Sequence, residues 1–148
     1  MRIPKAIVHK QMEKFLEACR EQGVKITHQR LEIYRELAST EEHPDAIMLH
    51  RRIRKRMPTV SLDTVYRNLR LLESYGIISI VGMSHERLRF DANMEPHHHF
   101  SCVECAKIID FQSDRARRLP WPAEAEACGK PLSLRLEVRG VCKDCQKK

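Results

Sequence analysis

Aromatic residues and glycine are scarce in this sequence, and long apolar runs are missing. Its 148 residues include four Phe, three Tyr, one Trp and five Gly. No apolar stretch approaches the roughly 18 to 20 residues that a membrane-spanning helix needs, which excludes a membrane span. The N-terminal segment also lacks the continuous apolar stretch of a signal peptide, so we expect a cytoplasmic protein. The apolar residues recur periodically, which argues against disorder.

Positive charge is in excess, mostly in the first part of the chain. The formal net charge is +7. Residues 1–92 carry 17 Lys and Arg against 12 Asp and Glu, whereas residues 93–148 carry 10 against 8. A basic segment indicates nucleic acid or another anionic surface as a partner, although solubility alone could explain a modest excess.

Four amphipathic helices followed by two strands are predicted in the first part of the chain. The periodicity predicts helices over residues 5–22, 28–38, 45–57 and 62–75, and Thr27 and Ser61 are expected N-caps. The stretches "IISIVG" and "RLRFDA" then predict two strands joined by "MSHE". Helices followed by a β-hairpin are typical of a winged helix-turn-helix, in which one helix enters the major groove of DNA.

The fourth predicted helix is the candidate recognition helix. Its outward face offers hydroxyl, phenol, amide and guanidinium groups, which reach base edges and phosphates. These groups belong to Thr64, Tyr66, Arg67, Asn68 and Arg70. The basic run "RRIRKR" (residues 51–56) would add phosphate contacts. The alternative is that these charges only form a solvated face, above all in the basic run.

Four of the six cysteines form two Cys-x-x-Cys pairs, "CVEC" and "CKDC". They are Cys102, Cys105, Cys142 and Cys145. Such pairs can close one tetrahedral zinc site, with unligated thiols as the alternative. The intervening segment is long, so we expect the pairs at distant ends of a small sheet. Cys19 is predicted in the core, and Cys128 has no predicted role. Residues 93–148 are too few for a self-sufficient core, which favours a zinc staple and a partner subunit.

One strand is predicted between the two cysteine pairs. The stretch "LSLRLEVRG" alternates apolar and polar residues, which indicates a half-buried strand. Its apolar face would carry Leu132, Leu134, Leu136 and Val138.

The stretch "PHHHFSCVEC" contains a second candidate metal site. On a strand, His97 and His99 share one face and His98 points the other way. Two imidazoles supply only about half of the ligands of a metal site, so the others must come from elsewhere in the chain. Oxygen ligands would favour iron or manganese over zinc. Asp91 and Asp110 are candidates, because a carboxylate in the apolar strand "KIIDF" is costly unless it is paired or metal-bound. The alternative is a surface histidine pair with an unrelated aspartate.

Seven stretches together resemble the ferric-uptake-regulator family of metal-dependent repressors, most of all its peroxide-sensing branch. They are "GVKITHQR", "EHP", "SLDTVYRNL", "GII", "RFD", "HHHFSCVECAKIIDF" and "GVCKDC", in the family's order and over nearly the whole length. The resemblance implies an α+β protein. A winged helix-turn-helix DNA-binding domain (1–92) would precede a small α/β metal-binding dimerisation domain with a zinc staple (93–148).

The resemblance also implies the ligands of two metal sites. Structural Zn²⁺ would be held by the four paired cysteines. Regulatory Fe²⁺ or Mn²⁺ would be held by His43, Asp91, His97, His99 and Asp110. Since His43 precedes the third predicted helix, the regulatory site would bridge the two domains.

Several positions refine or depart from the family's pattern. Aspartate at position 110 is similar to the peroxide-sensing branch, whereas iron sensors more often have glutamate there. Ser133 and Leu134 stand where many iron sensors have a histidine, so a third metal site is not expected. Pro120 and Pro122 should interrupt a family helix. His98 is expected in solvent or behind the ligands.

The implied function is that of a transcriptional repressor and not of an enzyme. A homodimer would bind a palindromic double-stranded DNA operator while its regulatory metal is bound. Iron-catalysed reaction with hydrogen peroxide would oxidise His43 or His97 and end repression. The candidate DNA-contact residues are Lys25, Arg30, Ser61, Thr64, Tyr66, Arg67 and Asn68.

Three alternatives remain open at this point. The protein could be an iron- or manganese-responsive repressor of metal uptake that does not sense peroxide. It could be a metalloenzyme, although no general base such as a glutamate beside a histidine on a helix is evident. It could also be a zinc-stapled module that binds proteins, which a steep salt dependence of DNA affinity would contradict.

Overall fold

The computed structural model describes residues 2–84, 87–132 and 134–147. The chain divides into two compact units, one reaching to Glu95 and the other beginning at Pro96. The first unit is mainly helical with a two-stranded hairpin, and the second is built on a three-stranded sheet. The predicted α+β organisation is therefore confirmed.

Four helices and a hairpin make up the first unit. They are α1 (Lys5–Glu21), α2 (His28–Ala38), α3 (Ala46–Ile53), α4 (Leu62–Ser74), β1 (Ser79–Ser84) and β2 (Arg87–Asp91). The side chains of Thr27, Asp45 and Ser61 each accept a backbone N–H three residues later, which starts α2, α3 and α4. Gly76 adopts φ +68° and ends α4. The predicted caps Thr27 and Ser61 are confirmed.

The core of the first unit is formed by the inner faces of these helices and by the hairpin. Phe15 of α1 stacks on Tyr34 of α2 with ring centroids 4.2 Å apart. Val65, Leu69 and Leu72 place the inner face of α4 in the same core, and all three are fully buried. Cys19 lies in this core as predicted. The opposite face of α4 is therefore available for recognition.

Helix α3 ends earlier than the sequence periodicity predicts. A helix through residue 57 was expected, but α3 stops at Ile53 and residues 54–56 form turns. In this turn Arg56 reaches back to α2. Its Nε donates to Glu32 Oε2 at 2.8 Å, and its Nη2 donates to Glu36 Oε2 at 2.9 Å. Both carboxylates are buried, so these ion pairs compensate for their desolvation.

Strands β1 and β2 form the predicted antiparallel hairpin. The register shifts between Ile80 and Gly82, which marks a β-bulge. On β2, Phe90 is buried in the core, while Arg87, Arg89 and Asp91 share the other side of the strand. Of the predicted connection "MSHE", His85 and Glu86 lie outside the described residues.

The second unit is a small sheet with two short helices. Its central strand β3 (His98–Cys102) pairs antiparallel with β4 (Ile108–Phe111) and parallel with β5 (Glu137–Gly140). Helices α5 (Asp114–Arg117) and α6 (Ala123–Cys128) lie between β4 and β5 in sequence. Pro120 and Pro122 separate them, as predicted. Across the described part of the chain, no helix has both the length and the apolar character to cross a membrane.

Two predictions for the second unit are wrong. The alternating segment from residue 132 is a strand only from residue 137, and Leu132, Leu134 and Val138 are exposed rather than half-buried. Alternation of apolar and polar residues indicates that a strand has an apolar face, but it does not show whether other residues of the same chain cover that face. The two cysteine pairs were expected at distant ends of the sheet. Because β3 and β5 run parallel, the pairs instead follow these strands at the same end.

Candidate metal centres and DNA-contact surface

Four cysteine sulfurs converge at one end of the sheet. One ligand atom of each of Cys102, Cys105, Cys142 and Cys145 lies within 4.8 Å of the others. Cys105 Sγ and Cys142 Sγ are 3.8 Å apart. Four thiolates about 2.3 Å from a tetrahedral zinc ion are separated by about 3.8 Å, so the sulfurs fit this ion. The register pair Cys102 and Gly140 explains the convergence, because it aligns the ends of the two strands.

Hydrogen bonds divide the protons unequally among these thiols. Backbone N–H groups of Cys142 and then Cys105 lower the pKa of Cys102 to about 6. Cys142 N lies 3.3 Å from Cys102 Sγ. Side-chain hydrogen bonds to Cys142 and then Cys105 raise the pKa of Cys145 to about 12. Cys102 is therefore deprotonated more readily than Cys145, and zinc binding would displace the proton of the Cys145 thiol.

The first unit contributes a buried histidine–aspartate pair. His43 lies in the loop before α3, and Asp91 ends β2. The His43 Nε2 and Asp91 Oδ2 atoms are 3.5 Å apart, and the side chains are 3% and 9% exposed. The other oxygen of the same carboxylate, Asp91 Oδ1, accepts a hydrogen bond from the backbone N–H of Asn93 at 2.7 Å. This bond orients the carboxylate and leaves Oδ2 directed at the imidazole.

The second unit contributes two histidines and one aspartate. The Nε2 atoms of His97 and His99 are 2.9 Å apart. Asp110 Oδ1 lies 3.4 Å from His99 Nε2 and 3.7 Å from His97 Nε2. The side chains of His97 and His99 are only 7% and 17% exposed, so they are not a surface pair. His98 was expected in solvent or behind the ligands. It is instead buried on the opposite face, with its ring centroid 5.5 Å from that of Phe111.

The donor sets of these groups suit different metals. Four thiolates are the usual set for a closed structural zinc site. Imidazole nitrogens combined with carboxylate oxygens suit iron and manganese. Within each unit, the His and Asp side chains are in contact with one another.

The candidate DNA contacts on α4 are partly occupied within the protein. Arg30 Nε donates to Asn68 Oδ1 at 2.9 Å, and Asn68 Nδ2 donates to the carbonyl of Thr64 at 2.8 Å. Arg30 also donates to the carbonyl of Lys25. These contacts hold the start of α2 against α4 and orient the Asn68 amide.

Two other candidates on α4 differ in exposure. Arg67 is 73% exposed and pairs with Asp63 one turn earlier, with Nε and Oδ2 2.9 Å apart. Tyr66 is half-buried and packs against the core. Ser61 Oγ contacts Thr64 Oγ1 at 2.9 Å in addition to capping the helix. Arg67 is thus a long, exposed cation on the candidate recognition face.

The basic run at residues 51–56 is only partly available for phosphates. Arg52 pairs with Glu42, and Arg56 pairs with Glu32 and Glu36. Arg51, Arg54 and Lys55 are exposed. The run therefore combines structural ion pairs with exposed charge.

Sequence reasoning missed the arginine that holds the carbonyls of the His43 loop and the second arginine beside it, which contacts the N-cap of α3 instead. Arg89 Nη2 donates to the carbonyl of Glu42 at 2.7 Å, and Arg87 Nη1 lies 3.6 Å from Asp45 Oδ2. Both arginines share a side of β2 with Asp91. The alternation in "RLRFD" was the available signal, but it did not identify partners more than 40 residues away.

Comparison with known proteins places this geometry in a family. The model of the ferric uptake regulator family matches residues 21–138. The peroxide-responsive repressor PerR of Staphylococcus aureus is 33% identical over 141 residues, which is 95% of each chain. The ferric uptake regulator of Helicobacter pylori superposes with a TM-score of 0.74 at 25% identity, over 100% of this chain and 98% of that one. The Francisella tularensis regulator, determined with iron, gives 0.69 at 27%, over 84% and 96%.

A helical DNA-binding unit with a hairpin, a cysteine zinc site and His/Asp metal ligands defines a metal-dependent transcriptional repressor. The chain belongs to the ferric uptake regulator family. It is a DNA-binding regulator of a family that does not consist of enzymes. It carries the four-cysteine zinc-type site and the His and Asp metal-binding groups typical of this family.

Proposed function

We propose that this repressor senses hydrogen peroxide through oxidation of a histidine that binds its regulatory metal. The observation that carries the proposal is the contact of Asp110 with His97 and His99. The resemblance associates aspartate at this position with the peroxide-sensing branch. The S. aureus relative, named as peroxide-responsive, supports the same assignment.

The regulatory site combines ligands from both units. His43 and Asp91 from the first unit and His97, His99 and Asp110 from the second would hold one Fe²⁺ or Mn²⁺. Bound Fe²⁺ would supply the redox chemistry by which hydrogen peroxide transfers one oxygen atom to the imidazole of His43 or His97, and the other oxygen atom would leave as water. Manganese supports DNA binding without this damage. An oxidised imidazole is a poor ligand, so the metal leaves.

Metal binding is coupled to DNA binding because its ligands come from both units. The metal favours the arrangement of the units that fits DNA, and DNA tightens metal binding by the same factor. A shift from mostly incompetent to mostly competent protein needs about 5 kcal/mol of differential binding. A site shared between two units can supply this difference.

The operator is a palindromic double-stranded DNA that the protein binds in the cytoplasm. Thr64, Tyr66 and Arg67 contact it from α4, Ser61 contacts it from the N-cap of that helix, and Lys25 contacts it from the loop before α2. Arg30 and Asn68 contribute to the same surface, and the hydrogen bond between them at 2.9 Å supports a positioning role within it.

The protein acts as a homodimer stapled by structural zinc at Cys102, Cys105, Cys142 and Cys145. The apolar face of the sheet supports this assembly. Register pairs place Phe100, Ile109 and Val138 on one face, where Ile109 and Val138 are 38% and 39% exposed. Burial of such a face against a second copy follows a two-fold axis, which suits a palindromic operator.

Two metal sites per chain are proposed, and no third. The H. pylori regulator is described with three functional metal-binding sites. Here Leu134 occupies one of the positions where many iron sensors have a histidine, and Ser133, at the other, lies outside the described residues.

The deciding experiment is mass spectrometry of the digested protein after a brief exposure to hydrogen peroxide. Protein loaded anaerobically with Fe²⁺ should gain one oxygen on His43 or His97, and Mn²⁺-loaded protein should not. Unmodified histidines under both metals would leave an iron- or manganese-responsive repressor. Asp110→Glu is the matched variant: it should retain metal-dependent DNA binding and lose most of the oxidation. His97→Ala should abolish metal-dependent DNA binding.

A further inference from the structure

The loop before α3 is held by an arginine that the proposed function leaves without a role. Arg89 Nε donates to the carbonyl of His43, and Arg89 Nη2 donates to the carbonyl of Glu42 at 2.7 Å. The next residue on β2, Phe90, donates its backbone N–H to the carbonyl of Pro44 at 3.2 Å. Two consecutive residues of one strand therefore bind three consecutive carbonyls of this loop.

The backbone held in this way has an unfavourable conformation at a proposed metal ligand. His43 has φ +50°, in the left-handed region that residues with a Cβ rarely adopt. Such a conformation persists where the surrounding structure imposes it. In this conformation the buried His43 imidazole faces Asp91, with Nε2 and Oδ2 3.5 Å apart.

Strand β2 carries both the loop's anchor and the second ligand. Arg89 and Asp91 are two residues apart and share one side of the strand. The separation of the two ligand atoms is therefore fixed within a strand and a loop bonded directly to it. Removing Arg89 would leave two loop carbonyls without these donors and would free His43 to adopt a negative φ.

We propose that Arg89 is a positioning residue for the regulatory metal. It fixes the backbone of His43 so that this imidazole and the Asp91 carboxylate are pre-organised for one divalent cation. The inference rests on the proposed assignment of His43 and Asp91 as ligands. Coulomb repulsion acts in the opposite direction, because a guanidinium near a cation site disfavours the cation. The sign of the effect therefore separates positioning from charge.

Manganese titration of the full-length, zinc-loaded protein tests this assignment. Arg89→Met should weaken Mn²⁺ binding about 10- to 100-fold, the usual effect of losing a partner that orients a ligand. Arg87→Met is the matched control, since it removes the same charge from the same side of the same strand. Arg87 contacts the Asp45 carboxylate at 3.6 Å. This control should bind Mn²⁺ as tightly as the wild type or more tightly.

Thermal unfolding separates positioning from a general loss of stability. In Arg89→Met, the rise in Tm on adding Mn²⁺ should shrink, while zinc content stays at the wild-type level. Unchanged Mn²⁺ affinity would overturn the inference, and so would equal weakening in both arginine variants. If Arg89→Met does not fold, Arg89→Lys replaces it, because lysine keeps the charge and lacks the planar fork. Lysine should weaken binding about tenfold, and wild-type affinity in that variant overturns the inference.

The proposed function has a separate criterion. If His43→Ala binds Mn²⁺ as tightly as the wild type, the ligand assignment fails and the inference fails with it. If His43→Ala weakens Mn²⁺ binding but the Arg89 variants bind Mn²⁺ as tightly as the wild type, the ligand assignment stands and the positioning role is wrong.

Discussion

An ion pair on the exposed side of α4 places negative charge on the proposed DNA-contact surface. Asp63 and Arg67 are 75% and 73% exposed and lie one helical turn apart. Exposed pairs of this kind add only about 0.3 to 0.5 kcal/mol to a helix, and Asp63 is also favoured by the helix dipole because it lies in the first turn of α4. Near phosphates it repels every DNA sequence equally, while Arg67 remains able to bind a guanine edge.

The first prediction concerns this carboxylate. Asp63→Asn should tighten binding to unrelated duplex DNA about two- to threefold, as expected for one screened charge near the backbone. The operator is one that the wild-type protein has selected from random DNA, and the variant's affinity for it should rise less. The ratio of operator affinity to affinity for unrelated DNA should therefore fall. Fluorescence anisotropy at two salt concentrations measures both affinities. An unchanged ratio would show that Asp63 has no part in discrimination.

At this scale the sequence predicts residues whose role is local or carried by a motif. Thr27 and Ser61 are recognisable from the sequence because the bond that a cap makes is local. In the structure, each side-chain oxygen accepts the backbone N–H of the residue three positions later. The cysteines are recognisable by their spacing. Arg89 is not recognisable, because its acceptors are the carbonyls of residues 42 and 43, and no sequence pattern records a bond to a distant backbone.

At the scale of secondary-structure elements, a charge network with two buried carboxylates connects α2 with the turn after α3. The side chains of Glu32 and Glu36 are 6% and 8% exposed, and Arg56 contacts both. Arg35 also contacts Glu32. The network fixes where the chain leaves α3 and turns towards α4. It therefore contributes to the placement of α4, the candidate recognition helix.

The second prediction concerns this network. Arg56→Met should lower the free energy of unfolding by about 2 kcal/mol. This is less than the 3 to 5 kcal/mol of a fully buried pair, because Arg56 keeps nearly half of its side chain in water. Urea unfolding followed by circular dichroism measures the loss. Arg54→Met, which removes an exposed charge nearby, should change stability by less than about 0.5 kcal/mol.

At this scale the sequence predicts which elements form better than where they end. All four helices of the first unit were expected, but the end of α3 depends on Arg56 finding Glu32 and Glu36. The strand at residues 137–140 was expected, but its length and exposure were not. Periodicity reports one chain's apolar face and cannot show which surface covers it.

Across the whole molecule, the two units differ in how their stability arises. Among its described residues, the first unit has a core of eighteen buried hydrophobic residues. Among the described residues of the second unit, the buried hydrophobic side chains are Cys102, Ile108 and Cys142. Two of these three belong to the zinc site. So little apolar burial favours dependence of this unit on bound zinc and on the proposed partner subunit.

The third prediction concerns removal of zinc. A strong chelator under reducing conditions should unfold the second unit and dissociate the proposed dimer, while the helices of the first unit persist. Hydrogen exchange resolved by peptide and native mass spectrometry measure the two effects. Cys142→Ser should reproduce them, and Cys128→Ser, which changes an exposed thiol on α6, should not. Loss of both units together would show that they unfold cooperatively.

The position of the last zinc ligands has a consequence for biosynthesis. The core of the first unit is complete at Ala92, whereas the cysteine site needs Cys142 and Cys145. Domains fold as they leave the ribosome, N-terminal ones first. The DNA-binding unit can therefore fold while its metal-responsive half is still being translated. For a short time, each new chain has a recognition helix but cannot yet respond to metal.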